Sequence, residues 1–302
     1  MATIIQNVSG SFFDDIFFEF LTNRSTTPDF TLTGFNGSEF TLTNTADPTL
    51  SIRVEGGALA IDADDDLIAG TVNRLFFSRS GVEEASVTGL AFDGPTFSAA
   101  LNDLNAGGND AAFDALLDPL DFDYALLSAD GGAFVGRDGN DTISGGAGPD
   151  TIGGSPGDDD IDGAFGTDVI DYSALGGPVA VNIGTATSAG LSPGTADKGD
   201  DGFDTLASFD VVIGTVANDT LTAPGIDDAT LIGGSGDDSI VVATVGPTAG
   251  VVVGGAGNDT LSAGGSTSLG TLSYQNDADA ASGPRTQGVD LAFSGPRGGT
   301  AD

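Results

Sequence analysis

A nine-residue repeat in the second half of the chain restricts its fold more than any other feature of the sequence. From residue 136 to residue 171 four strings follow one another without a gap: GRDGNDTIS, GGAGPDTIG, GSPGDDDID and GAFGTDVID. Each string has glycine at its first and fourth positions, aspartate at its sixth and isoleucine at its eighth. Because three residue types keep one register through four units, the pattern predicts one structural unit that is stacked several times.

The same register returns after an interruption, in a second block at residues 199–262. Its four units are GDDGFDTLA, GTVANDTLT, GGSGDDSIV and GGAGNDTLS, which begin at residues 199, 214, 233 and 254. Leu231 and Val252 keep the apolar position, nine residues before the next apolar residue, where the aspartate is lost. We therefore expect one continuous core, with a metal site at some turns and not at others.

The residues of one unit indicate how several units combine. Glycine adopts backbone angles that other residues avoid, so the start of each unit can turn sharply, and the x-Asp-x-Ile/Leu remainder forms a short strand. Each unit buries a single large aliphatic side chain and is too small to fold alone, so stacked units must share a core. If two units make one coil, Asp141 lies beside Asp159 and Asp150 beside Asp168. Such carboxylates repel each other unless a cation lies between them.

The composition indicates which cation suits these turns. The 302-residue chain has 45 Asp and Glu against 8 Lys and Arg, a formal net charge of -37, and no His or Cys. The thiolate and imidazole ligands that zinc prefers are therefore missing, and so are the Ser-His triad and the thiol nucleophile. Calcium accepts about six to eight oxygen ligands in flexible geometry, whereas magnesium requires a tighter octahedron. We expect several bound Ca2+ ions.

The same composition argues against other partners and activities. An acidic surface repels the phosphates of nucleic acids, so no nucleic acid is expected as a partner. No run reaches the roughly 18 apolar residues that a membrane-spanning helix requires, so we expect no transmembrane segment. The first residues, MATIIQNVSG, lack the basic segment of a standard secretory signal. Because no catalytic constellation appears in the sequence, the protein is predicted not to be an enzyme.

The N-terminal part of the chain contains no short repeat. The strings FTLTGF, EFTLTN and LSIRVE, which begin at residues 30, 39 and 50, alternate apolar and polar side chains and predict half-buried strands. Residues 97–117 carry Ala and Leu at a spacing that predicts one or two short helices, split by Gly107 and Gly108. The acidic run IDADDDLI at residues 61–68 lacks the glycine and the glutamate of an EF-hand loop. It is predicted to be a solvated turn or an accessory calcium site.

The residue counts support a fold without long helices. Only five of the 45 acids are Glu, and the chain has 48 glycines. Asp favours turns, whereas Glu favours helices. The predicted fold class is therefore all-β. It consists of an N-terminal β-rich domain at residues 1–135 with a small helical insertion, followed by a parallel β-roll at residues 136–302, with its repeats at 136–171 and 199–262.

The pattern G-G-x-G-x-D-x-U-x resembles the nonapeptide of RTX (repeats-in-toxin), hemolysin-type calcium-binding repeat proteins, and the resemblance covers residues 136–302. It implies that the first six residues of a unit form a calcium-binding turn and the last three a strand of a β-solenoid. The sixth-position Asp and backbone carbonyls near positions one, three and five would be the ligands. The carboxylate ligands implied here are Asp141, Asp150, Asp159, Asp168, Asp204, Asp219, Asp238 and Asp259. The carbonyl ligands implied are those of Gly136, Gly145, Ala147, Gly154, Gly163, Gly233 and Gly254.

The resemblance also implies a cellular setting. Such proteins leave the cell by type I secretion, so the location expected is extracellular, secreted or associated with the cell surface. Calcium would neutralise the -37 chain outside the cell and drive its folding. Residues 169–183 and 271–293 look like copies, and GTAD at 194–197 recurs at 299–302, which predicts that the chain ends within a second copy of one module.

The predicted function is structural. We expect a secreted calcium-binding RTX protein that folds on Ca2+ and self-associates at the cell surface as a surface layer (S-layer), a filament or an extracellular matrix. The alternatives are the stalk or retention region of an RTX adhesin, and the secretion and folding module of an enzyme whose catalytic domain lies beyond residue 302.

Overall fold

The computed structural model describes residues 2–6, 30–45, 47–63, 66–105, 111–126, 129–226, 228–243, 250–264, 271–273 and 290–294. The chain divides into two compact units, residues 1–148 and residues 149–302. Within the described residues the fold is mostly β with two short helices, and an antiparallel N-terminal sheet is followed by a parallel β-solenoid of about seven turns. The predicted fold class is therefore confirmed.

The first unit contains an antiparallel sheet. Its strands are β1 (Ala2–Gln6), β2 (Phe30–Thr33), β3 (Glu39–Asn44), β4 (Leu50–Ile61), β5 (Leu67–Arg79) and β6 (Val82–Asp93). They are hydrogen-bonded in the order β2-β3-β4-β5-β6-β1. The three alternating strings fall on β2, β3 and β4, and along β3 every second side chain is buried. Hydrophobic alternation therefore predicts these strands correctly.

Two helices follow this sheet, as the helical insertion predicts; the first packs against the sheet and the second against the first helix. They are α1 (Gly94–Asn105) and α2 (Ala111–Leu117), whereas Gly107 and Gly108 lie outside the described residues. The Asp93 carboxylate accepts hydrogen bonds from the backbone N–H and the hydroxyl of Thr96, at 3.2 and 2.9 Å, and so caps the first turn of α1. The Phe97 ring stacks on Phe92 and meets the edge of Phe113, which joins both helices to the apolar core.

Parallel pairing begins ahead of the repeats. The first unit also holds β7 (Phe122–Leu126), β8 (Ala133–Val135) and β9 (Thr142–Ser144). Strand β1 pairs antiparallel with β6 and parallel with β7, and β7 in turn pairs parallel with β9. Strand β1 was not predicted from the sequence, and it connects the antiparallel strands to the parallel ones. The predicted domain boundary between residues 135 and 136 stays a prediction.

The second unit is built from short strands in two sheets. The first sheet has β11 (Asp160–Asp162), β13 (Ala180–Asn182), β14 (Thr195–Asp197), β15 (Phe203–Ala207), β17 (Thr220–Pro224), β19 (Ser239–Ala243), β21 (Thr260–Gly264) and β23 (Asp290–Ser294). The second has β10 (Thr151–Gly153), β12 (Val169–Asp171), β16 (Val211–Ile213), β18 (Thr230–Ser235), β20 (Val251–Ala256) and β22 (Thr271–Ser273). Successive coils contribute neighbouring parallel strands to each sheet.

The interruption between the two repeat blocks adds an antiparallel pair of strands to the first sheet. Strands β13 and β14 pair antiparallel with each other, and they stand between β15 and β17 in the strand order β11-β15-β14-β13-β17. A short 3-10 helix at Gly199–Asp201 then leads into β15. The interruption therefore separates the two blocks along the first sheet, while β12 and β16 of the second sheet pair directly.

Two columns of aliphatic side chains, one from each sheet, form the core of the solenoid. The eighth-position residues Ile152, Ile161, Ile170, Leu206, Leu221, Ile240 and Leu261 are all buried, as are Val212, Leu231 and Val252. The predicted continuity of the core through Leu231 and Val252 is therefore correct. Each coil is stable only through its neighbours, because it contributes so few apolar groups of its own.

Candidate functional site

The eight predicted aspartates occupy equivalent places in the turns. Seven of them directly precede a strand and Asp204 lies within β15, and all eight side chains are buried: Asp141, Asp150, Asp159, Asp168, Asp204, Asp219, Asp238 and Asp259. Ionised carboxylates are costly to bury without a compensating partner. Their environment therefore determines what these turns can bind.

Backbone hydrogen bonds connect each aspartate to the adjacent coil. The backbone N–H of Asp219 donates to Oδ1 of Asp238 at 2.8 Å, and that of Asp238 donates to Oδ1 of Asp259 at 3.1 Å. We call this row, with Asp159 and Asp204 further along the same sheet, the first aspartate line. One oxygen of Asp238 and one of Asp259 are thus used by the protein, which fixes the orientation of the other oxygen.

A second aspartate line follows the edge of the other sheet. Asp150 donates its backbone N–H to Oδ1 of Asp168 at 2.8 Å, and Asp168 donates to Oδ2 of Asp210 at 3.0 Å. The expectation that Asp150 and Asp168 lie one coil apart is therefore correct. Asp141 belongs to the first unit, where it accepts the backbone N–H groups of Phe122 and Arg137 at 2.8 and 3.1 Å.

Some first-position glycines face a carboxylate oxygen and a carbonyl oxygen at the same time. A Cβ atom built on Gly233 would lie 2.2 Å from Oδ2 of Asp238 and 2.5 Å from the carbonyl oxygen of Gly254. The corresponding distances at Gly214 are 2.4 Å to Oδ2 of Asp219 and 2.5 Å to the carbonyl oxygen of Gly233. Each such glycine therefore leaves open a space lined by a carboxylate oxygen and by a carbonyl oxygen of the next coil.

The second carboxylate oxygens at the end of the first line lack a partner within the protein. Oδ2 of Asp238 and Oδ2 of Asp259 are buried and accept no hydrogen bond. Burial, together with the charges of Asp219, Asp259 and Asp237, raises the pKa of Asp238 to about 7. Burial also raises the pKa of Asp259. A carboxylate in such a place is poorly stabilised as an anion unless a cation is added.

Burial also raises the pKa of two further aspartates, and hydrogen bonds from neighbouring groups oppose this rise to different extents. It raises the pKa of Asp168, while the N–H of Asp150 opposes the shift. It also raises the pKa of Asp219, but Val179 and Thr215 donate hydrogen bonds that oppose it. The Thr215 hydroxyl lies 3.0 and 3.2 Å from the two Asp219 oxygens. The turn at Thr215 is thus satisfied by protein groups to a greater extent than the turns at Asp238 and Asp259.

The turn that ends at Asp159 contains a lysine that the sequence analysis did not single out. The Lys198 ammonium donates to the carbonyl oxygen of Ser155 at 2.6 Å, to Oδ2 of Asp159 at 3.1 Å and to Oδ1 of Asp204. The Tyr172 hydroxyl donates to Oδ2 of Asp204 at 2.8 Å. Burial raises the pKa of Asp204, and Lys198 opposes that shift. This cluster is held together by protein groups alone.

Asp210 was also not predicted as a site residue from the sequence. It is half-buried, directly precedes β16 and accepts the N–H of Asp168, as a sixth-position aspartate would. The signal was present, because Asp210 stands two residues before the buried Val212 and nine before Asp219. The string around it lacks the expected glycines, which concealed the register.

The predicted carbonyl ligands have varied surroundings. Gly233 and Gly254 face the carboxylates of the first line, and Gly163 lies near Oδ2 of Asp168 and the carbonyl oxygen of Ser208. Gly154 faces the Tyr172 ring instead. The remaining three lie in turns of the first unit, where Gly136 and Gly145 are buried and Ala147 is exposed.

The donor set as a whole suits a hard cation. Among the described residues no three carboxylates come together as a metal site on their own. A metal would therefore need carbonyl oxygens beside a carboxylate, and the space at Gly233 offers both, while Gly254 faces the Asp259 carboxylate. Calcium accepts this mixture of ligands, whereas zinc prefers nitrogen and sulfur. The assignment of individual ligands stays a prediction.

Comparison with known families agrees with this geometry. A family model of the RTX calcium-binding nonapeptide repeat matches the chain in 4 copies, at residues 135–170 and 246–267. The matched segments and the parallel β-solenoid fit an RTX-type repeat protein. RTX repeats bind calcium and are typical of secreted proteins. The RTX solenoid is a structural fold that is usually not catalytic. No curated protein matches the chain.

The residues that the RTX family model matches include only some of the repeat turns seen in the structure. Its matches include the turn at Asp259 but not the one at Asp238, although the two turns share a buried Oδ2 and an open first-position glycine. The structure thus extends the likeness beyond the matched residues. In the part of the chain that is described, none of the helices is long and apolar enough to span a membrane.

Proposed function

We propose that this RTX protein is secreted and completes its fold outside the cell by binding Ca2+ in the turns of its solenoid. The observation that carries the proposal is the pair of buried carboxylate oxygens, Oδ2 of Asp238 and Oδ2 of Asp259, that accept no hydrogen bond. The carboxylates of Asp219, Asp238 and Asp259 would hold calcium together with the carbonyl oxygens of Gly233 and Gly254. Bound calcium would supply the positive charge that these oxygens lack.

The second line would bind calcium less fully. Asp168 directs Oδ2 towards Gly163, near the carbonyl oxygen of Ser208. Asp210 would add a further carboxylate, since it is linked to Asp168 by a hydrogen bond. The line ends there, because Ala229 and Gly250 precede the next two strands of this sheet. We therefore propose more calcium on the first line than on the second within the C-terminal repeats.

Calcium binding would be coupled to folding through charge. The chain carries a formal net charge of -37, and its repeat aspartates are buried in the folded state. Without a cation, folding brings these carboxylates close together in a medium of low dielectric constant. Any ion that binds only the folded state stabilises it by mass action. A chain of this kind would be only marginally stable where calcium is scarce and would complete its fold where calcium is abundant.

Calcium titration tests this proposal directly. We expect the circular dichroism of the purified protein to gain β-structure on addition of Ca2+ and to lose it with EDTA. Asp259→Asn should bind less calcium than the wild-type protein, whereas Asp160→Asn, an exposed aspartate in β11, should bind the same amount. A wild-type spectrum that does not change between EDTA and millimolar Ca2+ would refute calcium-dependent folding.

We further propose that the folded protein self-associates at the cell surface as a layer, filament or matrix. The layout supports this proposal, because an antiparallel unit with its own apolar core precedes a repetitive solenoid. An adhesin stalk would use the same solenoid as a spacer, and an enzyme's folding module would precede a catalytic domain. Electron microscopy after addition of Ca2+ distinguishes the first two: ordered assemblies support self-association, and persistent monomers contradict it. The full-length gene sequence tests the third.

A further inference from the structure

Lys198 is the only lysine of the chain, and it lies in the interior of the solenoid. Its side chain and those of Asp159 and Asp204 are each 0% exposed. The ammonium donates to three oxygens, namely the Ser155 carbonyl and one carboxylate oxygen from each aspartate. An isolated ammonium is costly to bury, so its position between two carboxylates requires a specific arrangement of partners.

The three oxygens around this ammonium are of the kinds that calcium would use elsewhere in the solenoid. Asp159 is a sixth-position aspartate, Asp204 is the sixth-position aspartate of the adjacent strand, and the third oxygen is a backbone carbonyl. Asp159 also donates its N–H to Oδ1 of Asp204 at 3.2 Å, which repeats the link between Asp238 and Asp259. The Lys198 ammonium therefore lies between two sixth-position aspartates of adjacent strands in the first aspartate line.

A second side chain removes the remaining space. At Gly233 the place of a missing Cβ is lined by oxygens, but at Gly154 it is occupied by the Tyr172 ring, 2.1 Å from the position a Cβ would take. The Tyr172 hydroxyl donates to the second oxygen of Asp204. No oxygen of Asp204 remains without a partner, in contrast to Asp238 and Asp259.

Both side chains belong to the interruption of the repeat. Tyr172 lies at the start of the interruption, directly after β12, and Lys198 lies at the end of the interruption, directly after β14. Here the first sheet departs from the plain stacking of coils, because β13 and β14 are inserted beside β15. A cation supplied by the chain would let this junction form independently of bound metal.

We propose that the Lys198 ammonium takes the place of a calcium ion between Asp159 and Asp204, so that this position of the solenoid excludes calcium and does not need it. The inference refines the proposed calcium function, since it assigns these two aspartates to an internal cation instead of a bound one. Lysine is suited to the position because its ammonium is a compact cation with three donors.

The experiment counts the calcium ions on intact chains by native mass spectrometry at saturating Ca2+. Lys198→Ala, which opens the position, should bind one more calcium ion per chain than the wild-type protein. Lys198→Met, which keeps the length of the side chain, should lose stability in EDTA without the same gain. Arg74→Met is the matched control, because it removes one positive charge at an exposed site and should not change the count. A folded Lys198→Ala protein with the wild-type count and wild-type stability in EDTA would overturn the proposal.

A second measurement covers the case in which the lysine variants do not fold. Acylation of wild-type amines followed by peptide mapping should modify the chain terminus and leave Lys198 protected when Ca2+ is present. Modification of Lys198 at the rate of an exposed amine would contradict the proposal. If the wild-type protein binds no calcium at all, the proposed function fails. Protection of Lys198, and destabilisation by Lys198→Met in EDTA, would still support the internal cation.

Discussion

The second position of each repeat determines what the aspartate four residues further on can contact. Where this position is Gly234 or Gly255, the aspartate keeps a buried oxygen without a hydrogen bond. Where it is Thr215, the side chain donates to both oxygens of Asp219. The threonine hydroxyl thus replaces part of what a metal ion would supply.

Thr215→Ala tests what the Thr215 hydroxyl contributes. Removal of the hydroxyl leaves the buried Asp219 carboxylate with fewer donors, and we expect the free energy of unfolding in EDTA to fall by about 1 kcal/mol. Calcium should restore much of the loss, because Asp219 then depends on a cation. Urea unfolding with and without Ca2+ measures both effects. An equal loss under the two conditions would show that the hydroxyl acts independently of calcium.

The raised pKa of Asp238 predicts how stability depends on pH when calcium is absent. Its pKa is about 7 in the folded protein, against 3.8 for an ordinary aspartate. The unfolded chain therefore releases its proton first, and stability decreases as pH rises from about 4 to about 7. Calcium affinity should increase over the same interval, because calcium competes with the proton for the carboxylate.

Urea unfolding in EDTA at about pH 4 and about pH 8 measures this dependence. Asp238→Asn carries no titrating group and should show a smaller decrease, which separates Asp238 from the general repulsion among the other acids. A variant as sensitive to pH as the wild-type protein would assign the effect to other carboxylates.

The turns require glycine where oxygens meet. Gly255 has a φ of 105° and lies so close to the adjacent coil that a Cβ would stand 1.9 Å from the carbonyl oxygen of Gly234. Both the backbone angle and the close approach exclude other residues. The spacing of glycines in the sequence therefore reflects contact between coils as well as the shape of a single turn.

Gly233→Ala should consequently abolish calcium binding at its turn and destabilise the solenoid. The added Cβ would lie 2.2 Å from Oδ2 of Asp238 and 2.5 Å from the carbonyl oxygen of Gly254. Gly176→Ala is the matched control, since a Cβ there meets nothing within 4 Å. Isothermal titration calorimetry compares the two variants. Equal calcium binding by both would show that the space at Gly233 does not take part.

Repeat register predicts the strands of the solenoid well, and it fails where coil length changes. Every eighth-position aliphatic is buried as expected, because one large side chain per strand is enough to define the core. Asp204 and Asp210 are only six residues apart, so a register counted forward from Asp204 misses Asp210, although the register of Asp219 includes it. Lys198 was missed for a different reason. It stands beside three aspartates in the string DKGDD, which is typical of an exposed lysine. Only the structure shows that its side chain is buried.

The two units differ in what makes them stable. The antiparallel sheet of the first unit buries large apolar groups such as Val54, Leu75 and Phe77, which need no ion. The C-terminal coils bury one aliphatic column on each sheet and a line of carboxylates. Hydrophobic burial is insensitive to chelators, whereas carboxylate lines depend on a cation. We therefore expect their stabilities to diverge when calcium is removed.

Hydrogen exchange measured by mass spectrometry tests this divergence. On addition of EDTA, amides of β18, β19, β20 and β21 should exchange at least about tenfold faster, because local opening becomes less costly where the carboxylates lose their cations. Amides of β4, β5 and β6 should change much less. Equal acceleration in both sets, or none in either, would contradict a calcium-dependent solenoid next to a calcium-independent sheet.

The buried position of Lys198 also determines how the chain meets trypsin-like proteases, which cut after lysine and arginine. Between Arg137 and Arg285 the sequence offers these enzymes a single bond, the one that follows Lys198. The Lys198 side chain is enclosed in the folded solenoid, so the specificity pocket of such an enzyme cannot reach it. This long stretch can therefore resist trypsin-like enzymes as long as it stays folded. A cut after Lys198 would show that the solenoid had opened.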